Sequence, residues 1–492
     1  MFRRGLVAIT GTTGVGKSQL AIELARKLNG EVINADALQV YRGYNIITNK
    51  VTDDEMLGVP HHLLGFVDPS KEYTVREFEQ DALQKIDEIH QRNRIPILVG
   101  GTNYYIQSVM FQNSLGKDPG SPQSEPVTPN ARKFEQERMK MSNMELWEEL
   151  RQVDPVMAEN WHPNNRRKVL RSLEVLHSTG KRHSEWIAQD EEARAKEETL
   201  RFPTLLLWLY ADSPVLNQRL DDRVDKMIER GMFKELDQLA RDIDSPGALS
   251  GSSTDFTAGL KQAIGFREFA AYLAAAKDPE FPAENNEKLR LKGIEDMKTS
   301  TRRYAKRQIT WIRNKLLPEC RSTATKTVKA HSYILDATDL KTWNAEVLGN
   351  GLDIAQKFIV DEELPAPETI SNTASKLFAE VKGKPNSILA WKKHLCSVCS
   401  MSAEDARDGV AVEVWLNGDD EYKQHLRSKQ HKNNTRYRKR LREDKERVAP
   451  AIGTSGNDSD SSRPPLPKRP NTKSDPDPHY GQILTGNSCG KK

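Results

Sequence analysis

The 492-residue chain carries 74 basic and 70 acidic side chains, is 37% hydrophobic and has a mean hydropathy of −0.70. That length supports several folded units with at least one sizeable core, and the low apolar fraction leaves part of the chain for solvent. No stretch reaches the ~18 apolar residues of a membrane-spanning helix, and four cysteines are too few for a disulfide scaffold. Both classes are excluded, and a soluble, intracellular protein is expected.

No secretory signal is read at the start, where Met1-Phe2-Arg3-Arg4 runs into a first strand, Leu6–Ile9. Lys17–Leu28 follows as an amphipathic helix, with Leu20, Ala21, Leu24 and Leu28 on one face. Glu31–Asn34 reads as a second strand, Val75–Arg92 as a helix and Ile95–Val99 as a third strand. This alternation predicts a parallel sheet with crossover helices. A Pro/Ser/Gly-rich loop, Gly116–Asn130, interrupts it, and the polar stretch to about Glu198 reads as an inserted helical unit. Strand character returns at Pro203–Leu209 and Ser332–Asp336. Between them lies a first basic window, Arg290–Lys315, with nine Lys/Arg against two Asp/Glu. A second window, Lys423–Arg442, has nine against none, so the net charge of +4 hides strong segregation. Two basic windows bearing aromatic residues point to nucleic acid, whereas a lone one would suggest only a solvated face.

Gly11-Thr12-Thr13-Gly14-Val15-Gly16-Lys17-Ser18 fits G-x-x-x-x-G-K-[ST], lying after a strand and opening a helix. Glycines let the backbone wrap an oxyanion, Lys17 reaches a terminal phosphate, and the Ser18 hydroxyl can hold magnesium. The motif specifies a diphosphate or triphosphate without saying which. The second strand ends at Asn34-Ala35-Asp36, which places Asp36 at the carboxyl edge of the sheet, facing the phosphates. Position alone leaves open a helix N-cap or an outer-sphere magnesium ligand. The third strand ends in Gly100-Gly101-Thr102-Asn103-Tyr104-Tyr105, where an ATPase would carry its magnesium-holding aspartate. A motor or switch NTPase is thereby disfavoured.

These strand ends together resemble the tRNA dimethylallyltransferase (tRNA isopentenyltransferase) family. The matching segments are 11–18, Asn34–Gly43 and Gly100–Tyr105, followed by His162–Lys168 with Arg171, Glu174, Thr179 and Gly180. Asp222–Met227, Gln262–Glu268 and Arg303–Trp311 continue the match in order, so it covers about residues 5–360. The resemblance implies an α/β fold: a P-loop NTPase-like parallel sheet with an inserted helical domain and a small C-terminal zinc finger. It also implies transfer of a dimethylallyl group from dimethylallyl diphosphate to N6 of adenosine 37 of tRNA, beside the anticodon. Asp36 is then the candidate base for a weakly nucleophilic amine, with Thr102 and Arg223 completing the reaction centre. Gly11 to Ser18 hold the diphosphate, with magnesium at Ser18. Asp36, Ala37, Leu38, Gln39 and Thr102 meet the everted adenosine. Asn164, Asn165, Arg166, Arg167 and Lys168 grip the anticodon stem-loop, although the residues alone favour a solvated helix start after His162-Pro163. Arg303 and Arg307 contact the RNA backbone, and Tyr304 and Trp311 are read as core, with base stacking the alternative.

Farther on, Cys396-x2-Cys399 and His425-x5-His431 have zinc-finger ligand spacing. The Cys399–His425 gap is long, Glu404–Glu421 reads as an insertion, and His394 is a substitute ligand; two unrelated pairs are the alternative. A closed four-ligand zinc site would be structural and would hold the basic run after His431 against RNA. Eukaryotic members of the family carry such a finger after the enzyme core, so the resemblance implies a eukaryotic source. The expected organisation is a transferase core at 1–112 and 202–362 and a helical insertion at 113–201. A linker at 363–385, a finger with a basic helix at 386–445 and a disordered tail at 446–492 complete it. Cys320 and Cys489 read as ordinary thiols. A monomer is expected, cytoplasmic, with mitochondrial and nuclear pools also compatible; Lys468-Arg469 and Arg436–Arg442 could serve nuclear targeting. The rival readings are a P-loop kinase of a small metabolite or nucleotide and a non-catalytic RNA-binding scaffold. The first leaves the basic windows and the finger unexplained, and the intact Lys17, Ser18, Asp36, Thr102 and Arg223 disfavour the second.

Overall fold

Strands buried on both faces need helices on both sides, and the central strands here are buried almost from end to end. In the computed structural model, residues 4–112, 138, 141–196, 200–244, 259–278, 280–381, 393–402 and 413–448 are described. Six strands form one parallel sheet: β1 Leu6–Gly11, β2 Gly30–Asn34, β3 His61–His62, β4 Ile95–Val99, β5 Thr204–Tyr210 and β6 Ala330–Asp336. Their order is β3-β2-β4-β1-β5-β6. β1 therefore sits inside the sheet, with connections diverging to either side of it, the position where open α/β sheets bind ligands.

The period-two alternation of side chains divides the core into two layers. Val7, Ile9, Leu205 and Leu207 pack on one face with Leu20 and Leu24 of the Lys17–Leu28 helix and Phe358 of the Asn350–Val360 helix. Leu6, Ala8, Leu206 and Trp208 pack on the other with Phe78 and Ile86 of the Val75–Gln91 helix, which opens with a Thr74/Glu77 capping box. A third cluster joins Val40 and Tyr41 to Val224 and Met227 of the Ser213–Glu229 helix and to Leu236, Phe269 and Met297. All five expected strands are present. The two-residue edge strand β3 was not foreseen, because two histidines carry no apolar periodicity.

The chain divides into two compact units, residues 1–117 with 192–385 and residues 118–191 with 386–492. The sheet belongs to the first. In the second, helices Asn143–Val153, Pro155–Asn160 and Arg166–Thr179 enclose Leu146, Leu150, Met157, Trp161, Val169 and Leu173. The same unit contains the antiparallel pair β7 Lys393–Leu395 and β8 Trp415–Asn417, followed by helices Gly418–Arg427 and Lys429–Val448. β8 and the start of its following helix correct the reading of Glu404–Glu421 as a mere insertion, since this stretch supplies the second strand of the hairpin. The Gly116–Asn130 loop, Cys489, Lys468 and Arg469 lie outside the described residues.

At the start of β2, buried Glu31 accepts hydrogen bonds from Arg92 (3.0 and 2.7 Å) and Arg94 (3.1 Å), and its carboxylate lies 2.6 Å from His62 Nε2. Burial alone would raise its pKa, but the bonds from Arg92 and His62 outweigh it and hold the carboxyl at about 2. A folded-state pKa below the unfolded ~4.3 gives stabilisation that is complete above that value and is lost as pH falls towards the folded one. Glu31→Gln is expected to destabilise the protein by about 1–3 kcal/mol at neutral pH. In urea unfolding, the difference from the parent should narrow as pH is lowered from ~4.3 towards about 2.

Candidate active site and metal centre

The turn after β1 is shaped by glycines that no other residue could replace without movement. Gly14 and Gly16 have φ of 78° and 96°, and a Cβ on them would lie 2.8 Å from Leu220 and 2.7 Å from the Trp343 ring. Trp343 is fixed by its indole N–H, which donates to Glu23 at 3.0 Å. The turn thus delivers Lys17 and Ser18 to the first turn of their helix. Lys17 Nζ donates to the Thr12 carbonyl at 2.7 Å. Burial lowers its pKa to about 8, with Asp36 pulling upward and Arg223 downward.

The ends of β2 and β4 meet beside this turn. Ala35 N–H donates to Val99 O (2.7 Å) and Thr102 N–H donates to Ala35 O (3.2 Å). A Cβ on Gly100 would lie 2.0 Å from that same Ala35 oxygen, so the strand end that carries an aspartate in ATPases has no room for any side chain here. Ala37 N–H donates to Thr102 Oγ1 (3.0 Å), and Leu38 N–H donates to Asp36 Oδ1 (3.1 Å). Asp36 is held between two anchored alanines, and no helix follows it to be capped. Arg223, from the Ser213–Glu229 helix, donates to the Thr13 hydroxyl, and burial lowers its pKa against the pull of Asp36.

Gln308 is the residue the sequence reading missed. It is buried on the Ala283–Trp311 helix, accepts a hydrogen bond from Thr13 N–H (2.9 Å) and donates to Gly101 O (2.9 Å). Its amide therefore joins the phosphate turn to the end of β4. The only signal available was its place on the face that also carries Tyr304, in a run of charge that read as an RNA-facing surface. Tyr304 is corrected from core to site wall: it lines a cavity together with Thr102, and burial pushes its pKa up.

Two cavities, of about 610 and 490 Å³, meet at this point and share Thr13, Asp36, Thr48 and Arg223 as lining. Gly14, Gly16, Lys17, Ser18, Gly101 and Gln308 line the first. The second is lined by Ala37, Leu38, Thr102, Tyr105, Tyr304 and Arg307. Asp36 faces both. Gln39 lines the first cavity, and its amide donates to Thr48 O (3.2 Å) and Asn49 O (3.1 Å), which fixes the adjoining turn. Arg303 is exposed, and Arg307 lies over the Tyr304 ring at 5.8 Å.

In the second unit, Asn164, Asn165, Arg167 and Lys168 are exposed at the start of the Arg166–Thr179 helix. Lys168 lies 4.2 Å from the Trp161 ring centroid. Arg166 differs from its neighbours, for its guanidinium donates to Met141 O (2.8 Å), Arg138 O (2.6 Å) and Asn143 Oδ1 (3.2 Å). It fastens the helix to the preceding segment. The ligand atoms of Cys396, Cys399, His425 and His431 all lie within 4.8 Å of one another. His431 Nδ1 is 3.4 and 3.5 Å from the two sulfurs and 3.2 Å from His425 Nε2. A tetrahedral zinc ion with ordinary Zn–S and Zn–N bonds needs ligand separations of about 3.3–3.8 Å, close to the three His431 distances, and two thiols with two imidazoles are a donor set suited to such an ion. His394 is not part of it, because its Nε2 lies 2.7 Å from Asp419 and its ring stacks on Tyr422.

Comparison with known proteins agrees with this geometry. The family model for IPP transferase matches residues 39–315. The tRNA dimethylallyltransferase of Saccharomyces cerevisiae is 37% identical over 441 residues, covering 87% of this chain and 91% of the relative. The Homo sapiens tRNA dimethylallyltransferase is 36% identical over 477 residues, covering 96% and 92%. A solved structure of a eukaryotic dimethylallyltransferase acting on tRNA superimposes with a TM-score of 0.68 at 34% identity, covering 90% of this chain and 99% of that one. With a parallel sheet, a phosphate turn and sequence identity of this extent, the chain belongs to the IPP transferase family.

Proposed function

We propose that this protein transfers a dimethylallyl group from dimethylallyl diphosphate to N6 of adenosine 37 of tRNA, giving N6-isopentenyladenosine. The observation that carries this reading is the pair of cavities meeting at Asp36, one with a phosphate turn and one with apolar and aromatic walls. The diphosphate occupies the 11–18 turn and the everted adenine enters from the other side, extrusion requiring a few kcal/mol. As the N6–C1 bond forms, the C1–O bond breaks with its electron pair going to diphosphate, and the N6 proton passes to the Asp36 carboxylate. Lys17, Arg223 and the N–H groups of the turn stabilise the departing anion. Thr102, whose hydroxyl already accepts from Ala37 N–H, retains its own proton to donate towards the reacting groups.

Ser18, with oxygens of the diphosphate itself, suits magnesium, which prefers one or two protein oxygens together with substrate phosphates. When bound, the ion would supply further neutralisation of the leaving group. Ala37 and Leu38 line the adenosine side, while Gln39 acts through the turn it holds. Asn164, Asn165, Arg167 and Lys168 offer exposed donors to the anticodon stem, and Arg166 orients them. Arg303 and Arg307 contribute backbone contacts. The Cys396/Cys399/His425/His431 site holds structural zinc, and the basic Lys429–Val448 helix meets RNA.

Incubation with labelled dimethylallyl diphosphate, magnesium and bulk tRNA, followed by nucleoside analysis, should yield labelled isopentenyladenosine. Consumption of nucleoside triphosphate without tRNA labelling would favour a kinase instead. Asp36→Ala should lower single-turnover prenylation by ~10²–10⁴ with tRNA binding largely intact, as loss of a positioned base does. Elemental analysis should find zinc at one equivalent per chain, lost in Cys396→Ser. That variant should bind tRNA more weakly yet retain the chemical step at saturating tRNA.

A further inference from the structure

The first cavity contains a cation that the reading above leaves unused. Lys50 is 6% exposed and lines the same cavity as Lys17, Ser18 and Arg223. Its ammonium donates to Gly43 O (2.5 Å) and Thr48 Oγ1 (3.0 Å), two of the three bonds it can make. The surrounding turn is rigidly placed. Glu235 accepts from Ile46 N–H (3.0 and 2.9 Å) and Ile47 N–H (2.9 Å), Lys50 N–H donates to Asn45 O (3.0 Å), and Gln39 holds Thr48 and Asn49.

Lys17, Lys50 and Arg223 share one property: among the described residues, their hydrogen-bond partners are neutral oxygens and none forms an ion pair. Buried cations without a countercharge are unfavourable unless a ligand supplies it. For Lys50, burial lowers the pKa to about 8, against the attraction of Glu235 and Asp36. Asp36 and Glu235 are two carboxylates against three cations, whereas a diphosphate brings several further negative charges at once.

We propose that Lys50 is a further diphosphate-binding group of this site, using its remaining N–H to hold the allylic diphosphate donor and the pyrophosphate product. The inference rests on the prenyl-transfer reading and deepens it. It assigns one role to the turn at 43–50, which Gln39 and Glu235 hold so that a fixed ammonium lines the same cavity as Lys17.

The test is calorimetric titration of inorganic pyrophosphate, with magnesium, into the full-length protein and into Lys50→Met, Lys50→Gln and Lys50→Arg. Glutamine retains donors for Gly43 O and Thr48 but has no charge. Both Met and Gln variants should raise the pyrophosphate Kd by ~10-fold or more, the scale of one hydrogen bond from a charged donor, and Arg should restore most of the affinity. The same two should raise KM for the prenyl donor more than they lower kcat, with tRNA affinity unchanged. A Lys50→Gln protein that binds pyrophosphate like the parent would overturn the proposal, since the lysine would then serve only to close the turn. Failure of the parent itself to bind pyrophosphate would instead remove the prenyl-transfer reading on which it stands.

Discussion

The reaction centre depends on how closely the ends of β2 and β4 approach. Gly100 leaves space for the Ala35 carbonyl, Thr102 N–H binds that carbonyl, and the Thr102 hydroxyl binds Ala37 N–H. Asp36 is consequently fixed from both sides by backbone, with one carboxylate oxygen, Oδ1, accepting from Leu38 N–H and the other left for a proton. That arrangement matters chemically, because a general base must keep lone pairs free for the incoming proton while its position is held by others. The same crowding removes the acidic side chain that nucleoside triphosphatases place at this strand end. Construction of the acceptor side and loss of the ATPase-type metal ligand are two results of one close contact.

Gln308 extends this constraint across the sheet. By bonding both Thr13 N–H and Gly101 O, it ties the donor turn to the strand end that carries Thr102. The donor turn and the acceptor wall are therefore tied to one another, which suits a displacement whose bond-forming and bond-breaking atoms must stay aligned. Charge follows the same plan. Lys17 and Lys50 line only the phosphate side and Arg223 lines both, while the other cavity, which Arg307 also lines, has Tyr41, Tyr73, Tyr105, Ile264 and Met297 as surfaces on which a planar purine can rest.

Legibility in the sequence tracked local patterning. The phosphate turn, the five longer strands and the Cys/His pairs announce themselves through short-range spacing, and the structure brings each set together. What could not be read depends on long-range contact. Gln308 stands 295 residues from Thr13, in a charged helix whose polar residues look alike until the helix is placed. Lys50 sits in an irregular turn with no periodicity to mark it as buried. Arg166 belongs to a basic run, and only its packing shows that it faces inward while Arg167 does not. β8 was hidden because three residues after a long gap are too few to show alternation.

The most direct test of the central claim is a crystal structure of the protein with a non-hydrolysable dimethylallyl diphosphate analogue and an anticodon stem-loop. The account predicts adenine in the tyrosine-lined cavity, diphosphate on the 11–18 turn, and N6 within about 2.6–3.2 Å of an Asp36 oxygen. An Asp36 carboxylate turned away from N6, or adenine and diphosphate sharing one cavity, would contradict it.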